Sequence, residues 1–219
     1  MFFLVFSNGI RKYSNGGSTQ ELIFSSSDKE ELQACVVAKD NGTVICALSD
    51  KIAVLEPTPP SSNYNIAKTI NVHWSPLTSL AISNDGTVLA SASQTAVHIH
   101  KLETGSHTVL RGLPQSSEGP SLCTLSPHFP TKLIVGSDQV LYIYDINRPS
   151  SPTKTIPLGS CANGDIVSLA CSPYSKTLVA AACEGGTIHL IDFEKEKGYK
   201  LLSYIRDSAD LGSLDFSGR

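Results

Sequence analysis

Apolar residues along this chain occur in short runs that are separated by turn-forming residues. Between Leu77 and Leu110 several such runs follow one another, with Asn84-Asp85-Gly86 and Glu103-Thr104-Gly105-Ser106 at two of the breaks. Short runs rich in Val, Ile, Leu and Thr, bounded by Asn, Asp and Gly, are typical of β-strands joined by hairpins. We therefore predict a four-stranded antiparallel sheet here. No helical periodicity is sustained anywhere, which predicts almost no helix.

The same four-strand pattern recurs along the sequence. Equivalent first strands begin at residues 34, 79, 122, 167 and 212, so the steps between them are 45, 43, 45 and 45 residues. An internal repeat of about 44 residues with four strands in each unit is typical of β-propeller blades. Most strands are apolar on both faces, as expected for sheets that stack face to face.

We predict an all-β fold and a single propeller domain over residues 1–219. Full blades are predicted at about 33–72, 78–110, 121–158 and 166–205, with strands of partial blades at 2–24 and 211–216. Met1–Phe6 is apolar, but it lacks a charged n-region and a small-residue cleavage site, so we predict a buried strand instead of a signal peptide.

The two partial blades leave two arrangements open. The strand at 211–216 completes the N-terminal partial blade and closes a five-bladed propeller, or the chain is a fragment of a longer, seven-bladed propeller. In a fragment, both ends would expose apolar strand edges, which favour aggregation.

Composition and charge exclude several classes of partner. The chain has 219 residues, of which 41% are hydrophobic, enough for one sizeable core or one array of repeats. Its formal net charge of −3 provides no basic field for nucleic acid or for an anionic membrane. The six cysteines include no C-x-x-C pair, and five of them lie in predicted strands, which favours buried free thiols in a reducing compartment.

The sequence contains no arrangement that is typical of catalysis or cofactor binding. No G-x-S-x-G, H-E-x-x-H, G-x-G-x-x-G or P-loop pattern occurs, so we predict no catalytic residue and no cofactor site. His98 and His100 share one face of a strand and could begin a metal site. No third ligand follows at Cys/His spacing, which favours histidines packed between sheets and no metal site.

The repeat resembles the WD40 family over essentially the whole chain. In that family a Gly-His pair precedes the first strand, an Asp lies between the second and third strands, and Trp-Asp ends the third. The matching positions here are His73, the turn residue Asp138, and the pairs Tyr144-Asp145 and Ile191-Asp192. Leu55-Glu56 and His100-Lys101 replace the Trp-Asp pair in two other repeats, and no repeat has the whole set. The resemblance implies a WD40-type β-propeller that acts as a non-enzymatic scaffold for other proteins.

Within that family, three segments resemble the propellers that target γ-tubulin complexes to microtubule-organising centres. They are residues 97–104, 133–138 and 190–193. This resemblance implies γ-tubulin complex or spindle-pole components as partners, and a cytoplasmic or cytoskeletal location, with the nucleus as another. The alternatives are a generic adaptor in ubiquitin, RNA-processing or trafficking assemblies, and a propeller enzyme.

Aromatic side chains are the expected anchors of any protein contact, because they dominate interface hot spots. The candidate partner contacts are Tyr13, Tyr64, Trp74 and Tyr142.

Overall fold

The described part of the chain consists of β-strands and turns, with no α-helix. The computed structural model describes residues 2–6, 9–14, 17–25, 31–39, 42–48, 51–58, 64–71, 75–114, 121–159, 164–195 and 215–216. No helix among these residues has the length and hydropathy needed to cross a membrane.

The strands follow one another at the spacing that the repeat predicts. They are β1 (Phe2–Phe6), β2 (Gly9–Ser14), β3 (Thr19–Ser25), β4 (Ala34–Val37), β5 (Val44–Ala47), β6 (Ile52–Pro57), β7 (Tyr64–Ile70), β8 (Leu77–Ile82), β9 (Val88–Ser93), β10 (Val97–Lys101), β11 (His107–Val109), β12 (Leu122–Leu125), β13 (Lys132–Ser137), β14 (Val140–Asp145), β15 (Lys154–Pro157), β16 (Ile166–Cys171), β17 (Leu178–Cys183) and β18 (Thr187–Asp192).

The chain divides into two compact units, residues 1–77 and residues 78–219. The sheets β1-β2-β3 and β4-β5-β6-β7 belong to the first unit, and the sheets β8-β9-β10-β11, β12-β13-β14-β15 and β16-β17-β18 to the second. Neighbours in each sheet are also neighbours in sequence, and the recorded pairings are antiparallel. Each sheet is therefore a meander, as the repeat predicts.

The predicted blades correspond to these sheets. The blades at 33–72, 78–110 and 121–158 are the sheets β4–β7, β8–β11 and β12–β15. The blade at 166–205 has its first three strands, β16–β18, and the region of its fourth strand lies outside the described residues. The strands predicted within 2–24 form the sheet β1–β3.

The ends of the chain do not decide between the two arrangements. Of the strand predicted at 211–216, only Asp215 and Phe216 are described, and neither is in a strand. The five-bladed closure, the longer propeller and the single domain over 1–219 therefore remain predictions.

In the second unit, alternate residues of one strand supply two separate cores. Leu133 and Val135 of β13 belong to a buried cluster shared with β8–β11, which also contains Ile99. Ile134, between them, belongs to a cluster shared with β16–β18, which also contains Val179. Because successive side chains point to opposite faces of a sheet, both faces of β13 are covered. This arrangement explains why the strand reads as apolar on both sides.

The first strands β8 and β12 lie side by side in the second unit. The Thr78 hydroxyl donates to the Ser121 carbonyl at 2.5 Å, and the Ser79 hydroxyl donates to the Cys123 carbonyl at 3.2 Å. The contacting residues are 43 and 44 positions apart, which is one repeat. A nearly constant offset along two strands means that they run in the same direction. The turns that follow them therefore lie at the same end of the unit.

Gly136 allows β13 and β16 to approach closely. A Cβ atom at this position would lie 3.0 Å from Leu169 Cδ1 and 3.3 Å from two methyl carbons of Ile166. Gly within a strand often marks such a close approach. The absence of a side chain at 136 is therefore part of the packing between the two sheets.

The first unit repeats this packing with its own residues. Ile10 and Ile23 from the sheet β1–β3 pack in one buried cluster with Val44 and Leu55 from the sheet β4–β7. At about 25 cal/mol for each Å² of apolar surface removed from water, such clusters are the main stabilising term for sheets of this size.

Candidate interaction surface

Three turns in the second unit join a first strand to a second strand, and we call them together the turn platform. They are residues 83–87, 126–131 and 172–177. The side-chain amide of Asn84 donates to the Pro127 carbonyl at 3.4 Å, which places the first two turns in contact.

The first turn is held by hydrogen bonds to Ser83 and Asp85. Asp85 Oδ1 accepts the Ser83 hydroxyl at 2.6 Å, the Thr87 N–H at 3.0 Å and the Thr87 hydroxyl at 2.9 Å. Ser83 Oγ in turn accepts the Val88 N–H at 2.9 Å. These hydrogen bonds lower the pKa of Asp85, because they stabilise its charged form, and the bond from the Ser83 hydroxyl has the largest effect.

Buried serines hold the other two turns. Ser126 Oγ accepts the N–H of Phe129 at 3.2 Å. Ser172 Oγ accepts the N–H of Tyr174 at 3.2 Å and that of Ser175 at 3.0 Å. Both serines are buried, so their bonds to the turn are shielded from water. The backbone of each turn is thus fixed relative to its sheet.

Lysine contacts connect the last two sheets at this end of the unit. Lys132 Nζ lies 4.0 Å from Glu194 Oε1. Lys154 Nζ donates to the Phe193 carbonyl at 3.1 Å and also to the Lys195 carbonyl. The ion pair is largely exposed and contributes little stability, whereas the carbonyl bonds tie β15 to the loop after β18.

Tyr174 is the most exposed large hydrophobic residue in the described part of the chain. Its relative exposure is 60%, against 57% for Ile66. It stands third in its turn, where the other turns have Asp85 and His128. Sequence reasoning did not select Tyr174 as a contact. The available signal was its place at the tip of a turn that the repeat aligns three times.

The three predicted partner aromatics that the structure describes are half-buried. Tyr13 and Tyr142 are half-buried on β2 and β14. Tyr64 is half-buried too, with its hydroxyl donating to the Gly42 carbonyl at 3.1 Å and Lys12 Nζ 5.6 Å from its ring centroid. Trp74 lies outside the described residues. Their assignment as partner contacts stays a prediction.

Tyr144 occupies the position of the family tryptophan in the sheet β12–β15. Its ring is fully buried, and its hydroxyl donates to the Arg111 carbonyl at 2.8 Å. Burial, with a smaller effect of Tyr142, raises the pKa of Tyr144 to about 12. The hydroxyl therefore keeps its proton, which the hydrogen bond requires.

The aspartates predicted from the motif lie at the ends of strands. Asp145 Oδ1 accepts the Asn147 N–H at 3.0 Å, and Asp192 Oδ1 accepts the Glu194 N–H at 3.2 Å. Both carboxylates thus hold the turn after a third strand, as aspartates often do.

The other motif residues have backbone or packing roles. Asp138 has a φ of 51°, a left-handed conformation that Asp tolerates, and its carbonyl accepts the Ile166 N–H at 2.8 Å. Ile191, at the tryptophan position of its sheet, is fully buried. His73 lies outside the described residues. The contacts of the described motif residues involve other parts of the chain, so these described residues do not form one site.

In the sheet β8–β11, His100 stands where the family has tryptophan. His100 Nε2 and Ser91 Oγ are 2.8 Å apart, and both residues are buried. This bond joins the third strand of the sheet, β10, to its second strand, β9. Sequence reasoning treated His100 as a departure from the motif and did not find this bond.

His98, His100 and His107 form a cluster on β10 and β11. The ring centroids are 6.0 Å apart for His98–His100, 6.0 Å for His98–His107 and 6.2 Å for His100–His107. His107 was missed from the sequence because only strand pairing places it opposite His100. Burial, and then the charge of His107, lower the pKa of His98.

The cluster does not have the geometry of a metal centre. The rings of His98 and His100 stack at an interplanar angle of 10°. Within the described ranges, no group of three or more His, Cys, Asp and Glu side chains is placed to hold a metal ion.

Comparison with known proteins identifies the type of fold. The family model described as "WD domain, G-beta repeat" matches residues 65–100. A chain in the crystal structure of a mitotic checkpoint complex is similar to this one, with a TM-score of 0.76 and 16% sequence identity. The fold is that of a WD40-type β-propeller. The matched WD40 segment begins in β7 and ends in β10, so it covers a fourth strand and the three strands that follow it.

The comparison with the solved chain covers 96% of this chain and 62% of the solved one. This chain therefore spans less than two thirds of the length of that solved chain. No curated protein sequence matches it.

Proposed function

We propose that the chain is a non-enzymatic WD40-type scaffold that binds other proteins through the turn platform, with Tyr174 as the anchor. The observation that carries this proposal is an exposed aromatic ring on a turn whose backbone is held by a buried serine. Aromatic residues are enriched at the energetic centres of interfaces, so an exposed ring held at a fixed position is a suitable anchor.

A fixed backbone makes Tyr174 an effective anchor. A tyrosine has few rotatable bonds, so little conformational entropy is lost when a partner covers it. Ser172 accepts two backbone N–H groups of its turn, which restricts the backbone before a partner binds. Lys176 is exposed in the same turn and adds a positive charge two residues after Tyr174. A partner segment with an apolar side chain near a carboxylate would complement this surface.

The non-enzymatic part of the proposal rests on the sequence, which contains no G-x-S-x-G, H-E-x-x-H, G-x-G-x-x-G or P-loop pattern. Function on a fold of this kind belongs to individual sites, so the fold by itself names no partner.

A narrower form of the proposal takes γ-tubulin complex or spindle-pole components as the partners, at a cytoplasmic microtubule-organising centre. Its support is the resemblance of residues 97–104, 133–138 and 190–193. The likeness to a chain of the mitotic checkpoint complex concerns the fold alone.

Quantitative affinity capture tests both forms. The wild-type chain, Tyr174→Ala and Ile66→Ala are used as bait in one extract, and the bound proteins are measured by mass spectrometry. Ile66 is the matched control, because it is about as exposed but lies in the other unit. We expect a defined set of proteins to be lost from Tyr174→Ala and retained by Ile66→Ala.

The recovered proteins decide the narrower form. γ-Tubulin complex components among the proteins lost from Tyr174→Ala would support it, and their absence from every capture would refute it. If both variants bind the same proteins as the wild type, the turn platform is not the docking surface.

A further inference from the structure

Two cysteines face each other on adjacent strands of one sheet in the first unit. Cys35 on β4 is the direct cross-strand partner of Cys46 on β5. The two residues therefore project from the same face of the sheet. Cys35 is half-buried, and Cys46 is fully buried.

The hydrogen-bond pattern places this pair at a position suited to a cross-link. The Ala38 N–H donates to the carbonyl of its partner Thr43 at 2.8 Å, so that pair is hydrogen-bonded. Bonded and non-bonded pairs alternate along an antiparallel ladder. Cys35 and Cys46, three positions further along, are thus a non-hydrogen-bonded pair, for which Cα atoms are about 4.5 Å apart. Disulfides span about 4.4–6.8 Å between Cα atoms.

The two thiols are close enough for Cys35 to alter the ionisation of Cys46. A hydrogen bond with Cys35, and then burial, raise the pKa of Cys46 above its usual range. The other described cysteines have oxygen partners instead. Cys123 donates to Ser79 Oγ and the Ala90 carbonyl, both at 3.7 Å. Burial raises the pKa of Cys171 and that of Cys183, and the nearby Thr124 and Thr187 respectively oppose this effect.

We infer that Cys35 and Cys46 form a reversible disulfide site, oxidised by a small hydroperoxide. The hydroperoxide converts the half-buried Cys35 thiol to a sulfenic acid and leaves as an alcohol, or as water when it is hydrogen peroxide. The Cys46 sulfur then attacks the Cys35 sulfur, forming the S–S bond. The hydroxyl of the sulfenic acid leaves with the Cys46 proton as water. A dithiol reductant reverses the reaction.

The burial of Cys46 indicates that Cys35 is oxidised first. Because burial disfavours its thiolate, Cys46 is a poor first target for peroxide, and its role is to resolve the oxidised Cys35. The cross-link ties the first and second strands of one sheet together and closes only the short hairpin between them. It is therefore expected to form without rearrangement of the fold.

Peptide mapping tests the inference on the full chain. The native protein is treated with hydrogen peroxide, alkylated under denaturing conditions without reductant, and digested with trypsin. Cleavage after Lys29, Lys39 and Lys51 places Cys35 and Cys46 in separate peptides, residues 30–39 and 40–51. We expect these two peptides to be joined, with the loss of two hydrogen atoms, and to separate on addition of dithiothreitol. Cys123 and Cys183 are expected to stay reduced during the peroxide treatment and therefore to be recovered in alkylated form.

Two variants complete the test. Cys183→Ser, the matched control for a buried thiol, is expected to form the same cross-link. Cys46→Ser is expected to lose it and to accumulate oxidised Cys35. The inference is overturned if peroxide leaves both thiols alkylatable in the folded wild-type protein, or if Cys35 is joined mainly to another cysteine. It is also overturned if the link forms only after unfolding.

Discussion

Replacing Tyr144 separates the two roles of this side chain, packing and hydrogen bonding. Tyr144→Phe removes the hydroxyl that donates to the Arg111 carbonyl at 2.8 Å and leaves the buried ring in place. Tyr144→Ala removes the ring as well, from a cluster that includes Ile99 and Leu133.

The two substitutions should differ several-fold in their effect on stability. A hydrogen bond contributes about 0.5–1.5 kcal/mol net, and more when its loss leaves a buried group unsatisfied. Because Arg111 is exposed, its carbonyl can accept a water in the variant, so we expect Tyr144→Phe to cost about 1 kcal/mol. Deleting a large aromatic side chain from a core costs about 3–5 kcal/mol. For a chain of this size, each kcal/mol lowers Tm by about 2–4 °C.

Urea unfolding followed by circular dichroism measures these free energies. Tyr142→Phe is the matched control, on the same strand, since its hydroxyl donates to none of the described residues; its effect should stay within about 0.5 kcal/mol. The reasoning would be refuted if Tyr144→Phe were neutral, or if it cost as much as Tyr144→Ala.

Three further predictions follow from other contacts. His98 has a lowered pKa in the folded state, so the unfolded chain binds more protons, and stability should fall as pH drops below about 6.5. Unfolding free energies measured at several pH values should fall less for His98→Gln than for the wild type. An equal dependence of the unfolding free energy on pH in both proteins would contradict this prediction. Gly136→Val should cost about 1–3 kcal/mol by overpacking against Leu169, and an unchanged urea midpoint would show that the sheets do not meet there. Ser172→Ala removes the acceptor for two turn N–H groups. At about 1 kcal/mol for each hydrogen bond, it should lower the free energy of unfolding by up to about 2 kcal/mol, measured by thermal unfolding. It should also weaken partner capture through Tyr174, and full retention of binding would mean that the serine does not position the ring.

The strands could be predicted because each repeat carries the same local information. Turn residues such as Asn84-Asp85-Gly86 interrupt apolar runs at intervals of about 44 residues, and hairpin meanders follow from short connections. The apolar character of both faces also predicted stacking, which Leu133 and Ile134 show on adjacent positions of one strand.

The candidate surface depended on information that the sequence pattern does not contain. His107 approaches His98 only because of the register between β10 and β11. Tyr64 and Tyr174 are both aromatic residues next to turns, yet one bonds the Gly42 carbonyl and the other is exposed. Exposure is a property of the packed sheets, and no local preference of tyrosine distinguishes these two positions.

The central claim is that successive sheets of the second unit pack as neighbours with their first strands side by side. Ser79 Oγ lies 3.7 Å from Cys123 Sγ across this contact, so Ser79→Cys should form a disulfide with Cys123 under mild oxidation of the folded chain. Trypsin would then release residues 69–101 joined to residues 112–132, and Ser83→Cys, near the end of the same strand, should give no such link. Failure of Ser79→Cys to join Cys123, in a protein that remains folded, would contradict the packing of these sheets.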